Sequence, residues 1–178
     1  GTTPAPIMDR RTALKTIVGL CCISCRAPLS AAARDDGKLC GTCHTIHNAL
    51  SKDAPLWIHT TTAATFTPYS SSTMNAVAGQ PVSVSRACLS CHDGTVAVNS
   101  VNGVVGVGGA VNGPVYIGGA ALLGTDLSND HPISIPYDAG GPGLNPMATV
   151  QGIFPLYGPS KNQVECGTCH DPHLPGSN

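Results

Sequence analysis

The chain has 178 residues and a formal net charge of −1, and only 11% of its residues are charged and 4% aromatic. A charge balance near zero excludes a basic nucleic-acid-binding module. The 21 Gly and 15 Pro exclude a coiled coil or a long membrane bundle, because both residues interrupt helices. Aromatic side chains are too few for an ordinary core, so something other than side chains must fill much of the interior.

Residues 8–33 are predicted to be a signal peptide. Basic residues precede an uncharged, mainly apolar stretch at 16–25, and small residues at 30–33 suit a signal peptidase. The apolar stretch is too short to cross a bilayer. The basic residues are Arg10, Arg11 and Lys15. General and twin-arginine export both fit this pattern, and lipidation at Cys21 or Cys25 is an alternative.

Cleavage divides the chain into residues 1–33, which are removed, and a single domain at 34–178. This domain keeps five basic and nine acidic residues, hence a formal charge of −4. We expect it to be exported to the periplasm or the cell exterior, without a transmembrane segment. The six cysteines that remain all belong to one motif.

The motif is Cys-x-x-Cys-His, the signature of covalent attachment of a c-type haem. Two thiols three positions apart on a helical turn reach the two vinyl groups of one porphyrin, and the following His binds the iron as proximal ligand. Three copies predict three covalently bound haems. The predicted thioether residues are Cys40, Cys43, Cys88, Cys91, Cys166 and Cys169, and the predicted proximal ligands are His44, His92 and His170.

Two other interpretations of the cysteines are weaker. Zinc is bound by paired Cys-x-x-Cys motifs, but it does not require a His directly after the second Cys. Disulfides suit an exported chain, yet a lone Cys-x-x-Cys disulfide is a redox motif and three would be unusual.

The four remaining histidines, His47, His59, His131 and His173, are the candidate distal iron ligands. His47 and His173 each follow a proximal His by three residues. This spacing suits binding to the iron of a neighbouring haem and not to the iron that the proximal His binds. Iron with two His ligands has no open position, so we expect no enzymatic activity. Met74 and Met147 are competing sixth ligands.

The number of distal candidates exceeds the number of haem motifs by one. Either one of the four His is structural, or a fourth haem site has been lost or lies beyond Asn178. The sequence leaves both alternatives open.

Residues 94–125 carry no charge and contain two Asn-Gly pairs among β-branched residues. Asn-Gly between such runs predicts one or two short β-hairpins. The favoured alternative is an irregular apolar segment that wraps porphyrin, with Gly allowing close backbone approach. Such an uncharged surface also suits a subunit contact. Gly and Pro make a continuous helix improbable at 137–157.

Six segments of the chain carry a resemblance to a known family. They lie at residues 40–48, 54–59, 70–75, 88–96, 124–134 and 169–173. They include the first two motifs and the last two residues of the third, together with Pro-Leu-Trp-Ile-His, Asn-Asp-His-Pro-Ile-Ser and His-Asp-Pro-His. Together they resemble bacterial multihaem c-type cytochromes of the cytochrome c3-like group, in which Cys-x-x-Cys-His motifs are closely spaced and often doubled.

The resemblance implies a small, mostly irregular fold packed around haem, with short helices at the Cys-x-x-Cys-His sites. It also implies electron transfer through closely packed haems with two His ligands each. Some relatives polymerise into extracellular filaments through haem stacking, so self-association is expected beside exchange with redox partner proteins. The alternatives are a soluble periplasmic electron shuttle and a small haem reductase with one five-coordinate iron.

Overall fold

The computed structural model describes residues 39–105, 113–138 and 141–173. Most of this chain is irregular, and its regular elements are short. The helices are α1 (Leu39–Cys43), α2 (Ser83–His92), α3 (Met147–Gln151) and α4 (Cys166–Cys169), with one 3-10 turn at Gly119–Ala121. The strands are β1 (Ser100–Val101), β2 (Val104–Val105), β3 (Ile135–Pro136) and β4 (Gln163–Val164). The predicted signal peptide lies outside the described residues.

Strands β1 and β2 form an antiparallel hairpin that pairs Ser100 with Val105. Asn102 and Gly103 connect them with φ values of 53° and 75°. Two consecutive positive φ angles define the type I′ turn that Asn-Gly favours, which explains the hairpin at this place. Part of the segment that we expected to be an irregular wrap is therefore a short sheet. The second Asn-Gly pair includes Asn112, which lies outside the described residues.

A second two-stranded sheet joins β3 to β4 in antiparallel register, with Ile135 opposite Val164. The Gly- and Pro-rich segment between these strands holds α3, a single short helix that follows Pro146. Proline before the first turn of a helix is favourable because its fixed φ and missing N–H cost nothing there. The sheet brings the segment after residue 131 against the start of α4.

The apolar core is small. Phe66, Leu89 and Leu127 form its buried cluster, and Ala64 and Ile133 pack against it. Many large apolar side chains in the described part remain exposed instead, among them Ile46, Val77, Val104, Tyr116, Leu122 and Ile153. Side-chain packing alone therefore buries little of the apolar surface that the chain contains.

Helices α2 and α4 approach each other closely at Gly167. A Cβ atom on Gly167 would lie 2.8 Å from the hydroxyl of Tyr157 and 2.9 Å from Cγ2 of Val84, so any larger residue would have to displace one of these side chains. Glycine at this position therefore allows the close approach of Tyr157 and α2. In the described ranges no helix is long and apolar enough to cross a membrane.

Candidate functional site

Each Cys-x-x-Cys-His motif lies on a helical turn that ends at or next to its histidine. The amide of His44 donates to the carbonyl of Cys40 at 2.8 Å, and the amide of His170 donates to Cys166 at 2.9 Å. In the second motif α2 continues through His92. Since these bonds span four residues, the first Cys and the His of a motif lie one turn apart on the same side of the helix.

Two of the predicted proximal histidines are oriented by backbone carbonyls. Nδ1 of His44 donates to the carbonyl of Pro55 at 2.7 Å, and Nδ1 of His92 donates to that of Ala121 at 2.8 Å. A neutral imidazole that uses its proton at Nδ1 has an unprotonated Nε2. Carbonyl acceptors at Nδ1 are the usual outer partners of metal-bound histidine, because they fix the ring and raise its basicity.

The structure pairs two proximal histidines with two distal candidates. The rings of His44 and His173 have centroids 6.0 Å apart and planes inclined by 30°. The rings of His131 and His170 are 6.3 Å apart and inclined by 21°. Two imidazoles bound to opposite sides of one metal, at nitrogen–metal bonds of roughly 2 Å, have centroids about 6 Å apart. The separation of both pairs therefore fits two axial ligands of one haem iron.

The ring of His131 has a longer contact at Nδ1 than those of His44 and His92. Its Nδ1 lies 3.4 Å from the carbonyl of Pro132, and this contact is too long for a strong hydrogen bond.

His59 is fully buried, and each of its ring nitrogens faces a carbonyl. Nδ1 lies 2.9 Å from the oxygen of Thr60, and Nε2 lies 3.1 Å from that of Ala97. Burial lowers the pKa of His59, so the ring is neutral and has one proton for two acceptors. Nε2 also lies 3.6 Å from Sγ of Cys91, which places His59 beside the second motif.

His47 differs from the other three candidates. Its side chain is exposed, and its backbone N–H and carbonyl hydrogen-bond the hydroxyl of Thr45. Among the described residues, no aromatic or imidazole ring packs against it. His47 and His173 thus share the spacing to a proximal His, but only His173 has a proximal ring opposite it.

The second and third motifs meet through their first cysteines. A hydrogen bond to Cys166, together with burial, raises the pKa of the Cys88 thiol far above its usual range. The same bond favours the thiolate of Cys166 and lowers its pKa, so the two sulfurs titrate as a pair. Burial also raises the pKa of Cys91 to about 12. Sulfurs of neighbouring motifs therefore lie together in a partly buried cluster.

Trp57 connects the first motif to His59. Its ring lies 6.1 Å from that of His44 and 5.8 Å from that of His59, edge to face in both cases. The side chain is buried, and its Nε1–H finds no hydrogen-bond partner within the described part of the chain. A buried indole N–H without an acceptor costs free energy, so a polar group that reaches this point would be stabilised.

Sequence reasoning missed a buried polar cluster around Glu165. Ser134 donates its hydroxyl to Oε2 of Glu165 at 2.9 Å, and Oε1 finds no hydrogen-bond partner among the described residues. The amide of Glu165 donates to Oγ1 of Thr168, which completes a capping box at α4. The only signal in the sequence is an acidic residue directly before Cys166, and that signal says nothing about burial.

Asp93, the residue after the second motif, was also missed. Its carboxylate accepts a hydrogen bond from Oγ1 of Thr62 at 2.6 Å and from the amide of Thr95 at 2.7 Å. These bonds hold the segment at residue 62 against the end of α2. An Asp followed two residues later by Thr predicts only the local turn, and not the contact with Thr62.

The donor set fits haem in its chemistry as well as in its spacing. Each motif offers two sulfurs and one imidazole, and a haem iron needs only two protein ligands. Among the described residues, no group of three or more His, Cys, Asp or Glu side chains is arranged to hold a metal ion directly. Comparison of the chain with family models and with curated proteins gives no significant match.

Proposed function

We propose that this protein transfers electrons through three covalently attached c-type haems. The six thiols of the motifs would hold the porphyrins as thioethers, and His44, His92 and His170 would bind the irons on one side. Bound haem supplies reversible one-electron chemistry. The paired imidazoles are the observation that carries this proposal, because neither zinc nor disulfides require a second His about 6 Å from the first.

The distal ligands follow from the ring contacts. His173 would complete the iron of the first site opposite His44, and His131 that of the third site opposite His170, because these rings lie at the required separation. His59 is the candidate for the second site, since its Nε2 lies next to Cys91. His47 would then be the surplus histidine.

The protein's own residues orient the ligands and limit access to them. Carbonyls of Pro55 and Ala121 hold the Nδ1 protons of His44 and His92, so Nε2 of each ring is unprotonated and could bind iron. An iron with two protein ligands has no position for a substrate. We therefore infer outer-sphere electron transfer and not catalysis, and a haem reductase would instead need one five-coordinate iron.

The protein would work after export, in the periplasm or outside the cell. A formal charge of −4 at residues 34–178 favours basic redox partners and an association that weakens with salt. Exposed apolar side chains of the uncharged segment at 94–125, namely Val104, Val105, Tyr116, Leu122 and Leu123, favour self-association as a filament subunit. The soluble shuttle and the filament subunit would thus share electron transfer and differ in whether copies of the chain associate.

The intact mass of the exported protein, measured together with its absorption spectrum, tests the proposal. We expect an intact mass that equals residues 34–178 plus three haems. We also expect low-spin absorption spectra and no uptake of carbon monoxide. A colourless protein, or uptake of carbon monoxide at every iron, would contradict it. Electron microscopy of the secreted fraction distinguishes filaments from a soluble shuttle.

A further inference from the structure

Every polar group of Thr62 is bound to the helix of the second site or to the residue that follows this helix. The amide of Thr62 donates to the hydroxyl of Ser90 at 2.9 Å, and its hydroxyl donates to Oδ2 of Asp93 at 2.6 Å. Its carbonyl accepts two hydrogen bonds from the guanidinium of Arg86, at 3.1 and 3.2 Å. Ser90 and Arg86 lie in α2, and Asp93 follows its last residue. One residue of an irregular segment is thus bound to one helix at three points.

The hydrogen bonds of Thr62 with Ser90 and Asp93 are buried. Thr62 is 1% exposed, Asp93 is 4% exposed and Ser90 is fully buried. The carboxylate of Asp93 is also held by the amide and hydroxyl of Thr95, and Ser90 donates its own proton to the carbonyl of Arg86 at 2.7 Å. Water cannot replace a partner that moves away from a buried group, so displacing the segment from α2 would leave polar groups unsatisfied.

Thr62 and Asp93 each lie close in sequence to a predicted ligand of the second iron. Asp93 directly follows the proximal His92, and Thr62 follows the distal candidate His59 by three residues. The hydrogen bond between Thr62 and Asp93 therefore joins the two segments that carry the axial ligands. His59 is itself buried beside Cys91 of the same motif, so both segments meet at the second site.

We propose that Thr62 is a positioning residue that keeps His59 on the second iron, because it binds the segment of His59 to the helix that carries His92. This inference rests on the proposed function, since it concerns a haem at the second site with His59 as distal ligand. A distal imidazole stays bound only while its nitrogen remains roughly 2 Å from the metal. Loosening the segment should release the ring and leave a position that a small ligand can take.

The test measures carbon monoxide uptake by the full exported protein in its reduced form. Thr62→Val keeps the shape of the side chain and removes the hydroxyl that binds Asp93. We expect this variant to take up carbon monoxide at one haem per chain, where wild type takes up none. Thr62→Ser retains the hydroxyl and should take up none. Thr65→Val is the matched control, because Thr65 lies in the same segment but is exposed, and it should also take up none.

His59→Ala shows whether Thr62 acts through His59. This variant should take up one carbon monoxide per chain. Thr62→Val combined with His59→Ala should also take up one and not two, because both changes open the same iron and their effects are not additive. Uptake of two by the combined variant, or of none by His59→Ala, would overturn the inference.

Ser90→Ala is a second variant that decides the matter even if Thr62→Val does not fold. It removes the acceptor of the Thr62 amide and should give a smaller uptake at the same iron. Absence of uptake in whichever of the two variants fold, or equal uptake by Thr65→Val, would overturn the positioning role. Failure of the proposed function is distinguishable, since it would appear in wild type as a mass without three haems or as uptake at every iron.

Discussion

His173→Ala should open the iron of the first site, although His173 follows the third motif in sequence. Its ring lies 6.0 Å from that of His44, and no such contact joins it to another proximal ring among the described residues. One of three irons would therefore lose its sixth ligand. We expect a high-spin signal from one haem and uptake of one carbon monoxide per chain, where wild type takes up none.

His47→Ala is the matched control for this variant. His47 is exposed and has the same spacing to a proximal His, but no proximal ring lies opposite it in the described part of the chain. This variant should remain low-spin at every iron. Carbon monoxide titration of both variants, followed by optical and electron paramagnetic resonance spectra, measures the difference directly.

A third variant identifies which of the three irons has lost its sixth ligand. Adding Cys40→Ser and Cys43→Ser to His173→Ala removes the haem of the first site, and uptake of carbon monoxide should then disappear. Persistent uptake would show that His173 serves another iron and would refute the pairing. Uptake by His47→Ala in place of His173→Ala would refute it as well.

Three further changes test the stability of the fold. Leu89→Ala removes a fully buried member of the apolar cluster and should lower the free energy of unfolding by about 2–5 kcal/mol in denaturant titrations. Burial raises the pKa of Glu165 above its value in the unfolded chain, which is near 4.5. The stability that the protonated side chain contributes is therefore complete below pH 4.5 and is lost as pH rises through the folded pKa. Glu165→Gln should therefore reduce the decrease in melting temperature with rising pH, and an unchanged pH profile would contradict this assignment. Replacing all six motif cysteines with Ser should leave a largely unfolded chain, because we expect folding to be linked to haem attachment. Far-ultraviolet circular dichroism measures this, and native-like ellipticity would argue against haem as the core.

Local features of the fold were accessible from the sequence because neighbouring residues determine them. Asn102 and Gly103 adopt the positive φ angles that their residue types tolerate, and the hairpin follows. The cysteines and histidine of a motif share one turn because of helix periodicity. The preference for an irregular wrap over a hairpin in this segment underestimated how strongly Asn-Gly favours the I′ turn.

Contacts between distant parts of the chain were not accessible in this way. The pairing of His173 with His44 joins opposite ends of the described chain, and spacing to the nearest motif gives no information about it. His47 and His173 have the same local pattern but different surroundings. The carboxylate of Glu165 is buried with Ser134 as its hydrogen-bond donor, and Ser134 belongs to no motif.

The three sites are linked in a closed arrangement and not in a row. His170 and His173 lie three residues apart in one segment but face His131 and His44 respectively, which joins the third site to the first. The cysteine contact joins the second site to the third, and Trp57 lies between His44 and His59. Because every site has two neighbours, loosening one contact leaves a second route between the same haems. Under the proposed function, electron exchange among all three haems should therefore continue when one of these contacts is loosened.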